Sequence, residues 1–536
     1  MLNGRFGRQK LTLINIMNHI LKIKLFNFKR FKTFEVVLDP KLNIIVGDNE
    51  SGKSTLLEAI DITLSGSRHK VETKGLENLF NASVISDFLK SDRRYENLPE
   101  LYVELYLSDQ FDPDLNGKNN SDIKTCDGIK FECQPNHALG KEIKDILKNP
   151  AAIFPFEFYS ISFTTFSATA YSSYKKYLRH LLIDNSQMST EYAIKEYVRD
   201  IYTSIATPLE KSKHQNEYRK HKDEFRKNTL QELDSKLDGY EFLIKSSSKS
   251  NLETDLALSE NHINIENKGK GIQCFIKTKF ALSRASSEME VVLLEEPENH
   301  LSHINMKKMI ELISHADNRQ ILVSTHSNSI SARLDLRKSI LINSNSTVPI
   351  LLSGIDEPTA KFFMKAPDKN LLDFVLSKKI ILVEGDAEFI LMEAFYRKAC
   401  GDELHNSDIT ILSVDGTSFK RYLNVAKKLD IKTAVIRDND GKYQENCVDN
   451  YSDYAAFTNI AVFSETDDSK STFEISLYNL NKDICDIIFK TPKRTLPILE
   501  YMLKSKAEAA YVLLDKKADD LAVPQYIIDA VQWIKK

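Results

Sequence analysis

Short apolar runs punctuate the first part of the chain. Residues 21–27, 34–38 and 42–46 read as strands, and the last runs into a glycine-bearing loop before a helical pattern over 56–63. LYVELYL, residues 101–107, alternates as a half-buried strand does. Residues 110–145 are rich in Asp, Asn and Gly and read as an irregular excursion. From 171 to 240 charged helical patterns take over, as in YKKYLRHLL and EYAIKEYVRDIYTSI. The dense charge of 210–228 reads as a solvated helix face, with a surface that touches nucleic acid as the alternative. Strands and helices alternate again over 263–345. A linker with Pro349, Gly354 and Pro358 follows, and a further α/β unit runs from 371 onward. No run of about eighteen apolar residues occurs, so no membrane partner is expected.

Composition narrows this picture modestly. A chain of 536 residues exceeds what one core usually serves, so several domains are expected. A net charge of −3 excludes a uniformly basic nucleic-acid coat and leaves room for local basic surfaces. The six cysteines are scattered and form no C-x-x-C, which suggests neither a zinc site nor a disulfide framework, and a cytoplasmic setting is expected. The N-terminal apolar patch is broken by Asn15, Asn18 and His19 and does not read as a signal peptide, with Met17 as the expected start.

NIIVGDNESGKSTLLEAI sets a strand before, and a helix after, a G-x-x-x-x-G-K-[ST] loop running from Gly47 to Ser54. Glycines let the backbone wrap closely, so that N–H groups and the helix N-terminus face phosphate oxygens. The expected ATP-binding residues are Gly47, Asn49, Gly52, Lys53, Ser54 and Thr55, with Lys53 as a point charge and Ser54 as a Mg²⁺ ligand. EVVLLEEPENHL supplies the complement: a buried strand, Val291–Leu294, ending in Glu295 and Glu296. Glu295 is expected to hold Mg²⁺ through water, and Glu296 to position or deprotonate the attacking water. ILVSTHSNSI then ends a strand at His326, placed to sense the γ-phosphate. Strand and phosphate loop, then EEPE, then STHS, in this order resemble the ABC-type ATPase heads of the SMC and RecF group. That resemblance implies a nucleotide sandwiched between two heads. The candidate signature loop is Asn267–Gln273, with Gly271 and Gln273 contacting nucleotide, although it lacks the usual serine. Roughly 235 residues separate Ser54 from Val291, too few for a long coiled coil out and back at about 1.5 Å per residue. The insertion is therefore expected to be compact.

A second constellation follows. TAVIRDNDG ends an apolar run in Asp438 and Asp440. A calcium-loop alignment places Ile436 and Cys447 at ligand positions and fails. Upstream, KKIILVEGDAEFILMEAF closes a strand with Glu384 and puts Glu388 in the first turn of a helix, four residues on. DITILSVDG ends a strand at Asp415. Three β-α units that end in acid bring oxygen ligands to one edge of a parallel sheet, a setting suited to Mg²⁺ or Mn²⁺.

The order VEG-x-x-E, DG, D-x-D resembles the Toprim fold of topoisomerases, primases and certain nucleases. A Toprim domain after a compact ABC head is similar to the OLD (overcoming lysogenisation defect) family of ATP-dependent endonucleases, which includes the nuclease subunit of Gabija antiphage systems. SKSTFEISL and LKSKAEAAYVL resemble further family segments and offer Glu474 and Lys506, while RDND stands where TDxD is more usual.

The resemblance implies an α/β chain in four parts. These are an ABC ATPase N-terminal part (17–170), a helical dimerisation insertion (171–245), an ABC C-terminal part (246–370) and a Toprim nuclease domain (371–536). It implies a two-metal site in which Glu384, Glu388, Asp438 and Asp440 hold cations about 3.5–4 Å apart, with Asp415 and Glu474 as second-tier ligands. Lys506 would neutralise charge on the reacting phosphate, and Lys29, Arg30 and Lys32 would hold the nucleic-acid backbone. Implied cofactors are ATP and Mg²⁺ or Mn²⁺. The implied partner is double-stranded DNA, RNA staying open, cut by a homodimer or larger homo-oligomer. Relatives work alone, beside a helicase, or beside a retron reverse transcriptase and its DNA product. Two rivals remain: a non-cleaving ATP-dependent DNA-end sensor, and strand passage or primer synthesis, for which no tyrosine-nucleophile domain or zinc primase module is evident.

Overall fold

Strand β1 (Ile20–Phe28) buries Ile23 and Leu25 on one face and turns Lys22 and Lys24 to the other, the period-2 pattern of a sheet with one covered side. It pairs antiparallel with β2 (Phe31–Val37) and with β4 (Leu101–Leu107). β5 (Cys126–Pro135) and β6 (Tyr159–Thr165) extend the same antiparallel sheet. The structure, a computed structural model, describes residues 18–184, 198–199, 202, 206–245, 251–282, 289–316, 318–343, 348–366, 369–416, 418–490 and 496–536. Met17 and nearly all of EYAIKEYVRDIYTSI lie outside the described residues. The chain divides into two compact units. One comprises Met1–Ile45, Asn49–Thr325 and Ser344–Pro349; the other comprises Val46–Asp48, His326–Asn343 and Ile350–Lys536.

A second sheet in the first unit runs β3 (Leu42–Val46), β9 (Gln320–Thr325), β8 (Val291–Glu295), β7 (His180–Asp184). β8 is parallel to both neighbours, and its four apolar residues are wholly buried, as a strand covered on both faces requires. Helix α1 (Lys53–Ser65) follows the phosphate loop, α2 (Pro208–Phe225) buries none of its residues, and α3 (Lys270–Leu282) follows the signature loop.

Three sequence expectations need correction. YKKYLRHLL does not form a helix; its second half is β7, because Leu182 and Ile183 lie in register with Leu293 and Leu294 of the buried β8. Tertiary pairing overrides the local pattern there. The stretch 110–145 is not wholly irregular. It contains the ten-residue β5, whose Ile129, Phe131 and Cys133 are buried, and a helix over Gly140–Leu147. The linker after Pro349 is structured, with Ile350–Leu351 paired to Ser339–Leu341 and α4 (Glu357–Lys365) following.

The second unit is built on four parallel strands in the order β11 (Ile409–Ser413), β10 (Lys379–Val383), β12 (Lys432–Ile436), β13 (Ile460–Phe463). Helices α5 (Asp386–Cys400), α6 (Phe419–Leu429), α7 (Phe473–Leu480), α8 (Lys506–Lys517) and α9 (Gln525–Lys535) accompany it. Leu391, Met392 and Phe395 of α5 share a core with Ala434 and Ile436 of β12, Phe473 and Leu477 of α7, Leu513 of α8 and Ile527 of α9. This one cluster fixes three helices whose first turns carry Glu388, Glu474 and Lys506. Among the described residues no helix is long and apolar enough to cross a membrane.

Leu391 is fully buried in that cluster, so Leu391→Ala leaves a cavity. It should destabilise the second unit by about 2–5 kcal/mol, read as an earlier denaturant transition. An unchanged midpoint would show that this core does not hold the unit.

Candidate active site

β10 and β12 are adjacent and parallel, so their carboxyl ends bring Glu384 and Asp438 together. The Asp438 amide donates to Glu384 Oε2 at 3.2 Å, and Asp438 Oδ1 accepts from the amide of Phe473, the first residue of α7, at 2.7 Å. Glu384, Asp386, Glu388, Asp438 and Lys506 line a cavity of about 180 Å³. Lys506 Nζ stands 3.0 Å from Glu474 Oε2 at the cavity's edge, which selects Lys506 over its neighbour Lys504. Glu474 is almost completely buried.

Buried like charges raise one another's pKa. Burial, then Glu474 and Glu384, push Glu388 up to about 7, against the pull of Lys506. Burial, then Glu388, Glu384 and Glu474, push Asp438 up to about 8, with Lys506 again opposing. Glu384, Glu388 and Asp438 line one cavity with more negative charge than one ammonium offsets, and hard oxygen donors of this kind are those a divalent cation such as Mg²⁺ or Mn²⁺ takes.

Two of the expected ligands sit differently. Asp440 is half exposed and paired with the Arg437 guanidinium at 3.2 Å. Asp415 does not line the acidic cavity; it is exposed and bound by Lys369 Nζ at 2.7 Å. Its loop still touches the site, because the Gly416 amide donates to the Glu384 carbonyl at 3.0 Å.

Sequence reasoning passed over the residues that hold the RDND loop. Arg437 is buried and donates to the Asp438 carbonyl at 2.9 Å and to the Tyr451 hydroxyl at 3.3 Å. Asn439, wholly buried, donates to the carbonyls of Glu465 and Asp467 and accepts from the Gly441 amide. Tyr526 lies buried beside the cluster, its phenol held well above the usual range by burial and then by Asp438 and Glu388. An arginine between a strand and an acid was the available signal; attention to the acids alone hid it.

On the nucleotide side, Gly52 adopts φ 100°, and a Cβ there would fall 2.5 Å from Phe31 Cζ, so the loop needs glycine. Lys53 is buried, Ser54 and Asn49 are exposed, and Thr55 is half-buried. Glu295 is raised above the usual carboxylate range by burial, then by Asp184 and Glu296, with Ser54 opposing the shift. Asp184 stands opposite Glu295 in register, a further acid the sequence did not reveal. Glu296 accepts from Asn299 Nδ2 at 2.7 Å. Gly271 packs so tightly that a Cβ would meet the His300 carbonyl oxygen at 2.0 Å, and Gln273 is buried, donating to the Lys268 carbonyl of its own loop. Gly47 is buried and His326 is exposed; both are counted with the second unit. Lys29 pairs with Glu58, Lys32 with Asp87, and Arg30 donates to the Glu50 carbonyl.

The raised carboxyls have a thermodynamic consequence. Below about 8 the folded protein keeps protons on Asp438 and Glu388 that the unfolded chain releases near ordinary carboxylate values. Stability should therefore fall as pH rises. In chelator, the melting temperature of the second unit should drop from about pH 5 to about pH 8.5, and Asp438→Asn should flatten the drop. A rise over that range would contradict the assignment.

Residues 375–440 match the overcoming lysogenization defect protein-like TOPRIM domain, and residues 19–330 match the AAA ATPase domain. The Old nuclease of Escherichia phage P2 is 27% identical over 180 residues, which cover 32% of this chain and 31% of that protein. The DNA replication and repair protein RecF of Oceanobacillus iheyensis is 35% identical over 52 residues, 10% of this chain and 14% of that protein. The chain is thus matched to less than a third of the length of either relative. Among solved structures, the recombination mediator protein RecF with ATP covers 62% of this chain and 98% of its own at 11% identity, with a TM-score of 0.35. The SMC head domain from Thermotoga maritima covers 62% and 97% at 13% identity, with a TM-score of 0.29. Likenesses this loose carry no argument. The first 300 or so residues do: by a match spanning more than half of its length, the chain belongs to the AAA ATPase domain family, and it carries an OLD-like TOPRIM domain behind that part.

Proposed function

We propose that this chain is an ATP-regulated, divalent-metal-dependent DNA endonuclease that cuts at the carboxylate cavity of its second unit. The observation that carries the reading is the convergence of Glu384, Glu388, Asp438 and Lys506 on one small cavity, the three acids lying in a segment that matches an OLD-like TOPRIM domain. The likeness to the phage P2 Old nuclease supports the activity, and a role in antiphage defence rests on the resemblance to the OLD family with its Gabija members.

Glu384, Glu388 and Asp438 would hold the cation, Mg²⁺ or Mn²⁺, with Asp440 at the rim once it leaves Arg437. A cation there would supply Lewis acidity toward a phosphoryl oxygen. Lys506 meets the charge that builds on the phosphate as the bond breaks, and Glu474 holds Lys506 in place. Burial of Glu388 and Asp438 keeps these oxygens from dispersing into water. Glu295 with Ser54 serves Mg²⁺ bound with ATP, and Glu296 and His326 serve its hydrolysis. The exposed α2 serves a homodimer.

The test is incubation of supercoiled plasmid and linear duplex with the protein in Mg²⁺ or Mn²⁺, with and without ATP. The parent should cut, and Asp438→Ala should cut about 100-fold less or not at all while hydrolysing ATP normally. Equal loss of both activities would count against separate sites. A parent that hydrolyses ATP and cuts nothing would overturn the reading in favour of a DNA-end sensor.

A further inference from the structure

A second cavity, of about 750 Å³, opens in the same unit beside β11, lined among others by Phe362, Lys369, Asp415, Lys420, Arg421 and Tyr454. It is large enough for a nucleotide, since small-molecule sites begin near 300 Å³. Its charge is biased. Lys369, Lys420 and Arg421 face it with the carboxylates of Asp415 and Asp453, and Asp415 is already engaged by Lys369. Lys420 is exposed in the first turn of α6, where the helix dipole adds positive potential to its own charge.

Aromatic faces accompany the cations. The Arg421 guanidinium lies over the Phe362 ring at 5.9 Å, and its Nη1 donates to Thr359 Oγ1 at 3.5 Å. Lys420 Nζ lies 5.9 Å over Tyr451, the ring that also receives Arg437. Tyr454 is fixed by donating to Asn424 Oδ1 at 2.7 Å. Cations interleaved with rings are how proteins track a sugar-phosphate backbone and stack its bases.

Position supplies the last link. β11 is the immediate neighbour of β10, and the loop from Asp415 to Gly416 hydrogen-bonds the Glu384 carbonyl. The cavity therefore sits one strand away from the acidic site, on the same carboxyl edge of the sheet. A polynucleotide laid along that edge meets both.

We propose that this cavity is a subsite for the nucleic-acid strand being cut, in which Lys420 and Arg421 take a backbone phosphate and the Phe362–Arg421 stack and Tyr454 take the sugar and base. It rests on the nuclease reading, and binding tests it without cleavage. Full-length protein in Ca²⁺ is titrated into labelled single-stranded and duplex oligonucleotides at several salt concentrations. Lys420→Gln with Arg421→Gln should weaken binding about 10-fold and make the dependence on log salt shallower by about 0.7–0.9 per lost phosphate contact. Lys482→Gln, an exposed lysine outside the cavity, should bind as the parent does. Thermal melting checks that the double variant folds, and Lys420→Gln alone should give a smaller loss of the same kind.

If the parent cuts DNA, the double variant should raise KM with kcat within about twofold, as loss of uniform binding requires. A parent that binds in this way and never cuts leaves the subsite standing and removes only the nuclease reading. Parent-like affinity and salt dependence in the double variant would overturn the subsite. So would saturable binding of free dTMP that the double variant loses while oligonucleotide affinity stays unchanged, which would make this a mononucleotide pocket.

Discussion

The mutual repulsion of buried carboxylates governs the second unit. Glu388 and Asp438 are each less than a tenth exposed, and their neighbours Glu384 and Glu474 add further negative charge. The single ammonium of Lys506 cannot offset them all. A fold tolerates such a cluster only when its core is strong enough to impose it, and here that core is the shared packing of α5, α7, α8 and α9 against the sheet. The arrangement costs stability, a cost that a cation bound there would offset. Strain of this sort at the carboxyl edge of a parallel sheet is the expected mark of a functional site.

The nucleotide side depends on backbone clearance rather than on charge. The left-handed turn at Gly52, pressed against Phe31 and Arg30, leaves no room for a side chain. Gly271, pressed against the His300 carbonyl, ties the start of α3 to the segment after β8. Both contacts lie within the first unit and couple loops far apart in sequence.

Much of this was legible in the chain. Apolar runs ending in acid gave β8, β10 and β12 nearly to the residue, because strands buried on both faces leave an unbroken signature. β7 was not legible: YKKYLRHLL carries helical charge spacing, and only pairing with β8 makes it a strand. β5 hid among Asp- and Gly-rich flanks that are in fact its turns. In the site, Glu384, Glu388 and Asp438 stood out by type and spacing and Lys506 by the family resemblance, and the structure sets all four around one cavity. The role of Arg437 was not legible: RDND in place of TDxD marked the position, and only burial and the bond to the Asp438 carbonyl show it fastening the loop. Asp415 was overvalued because a strand-end acid looks the same whether it faces a cation site or a lysine.

The central claim is that the carboxylates of the second unit form a cation site independent of the nucleotide loop. The most direct measurement is calorimetric titration of nucleotide-free, metal-free protein with Mn²⁺, in two buffers of different ionisation enthalpy, beside the Glu388→Gln/Asp438→Asn protein. The account predicts saturable binding with proton release near neutral pH in the parent, because Glu388 and Asp438 hold protons there, and neither signal in the double variant. Saturable binding that survives in the double variant, or binding without proton release in the parent, would contradict it.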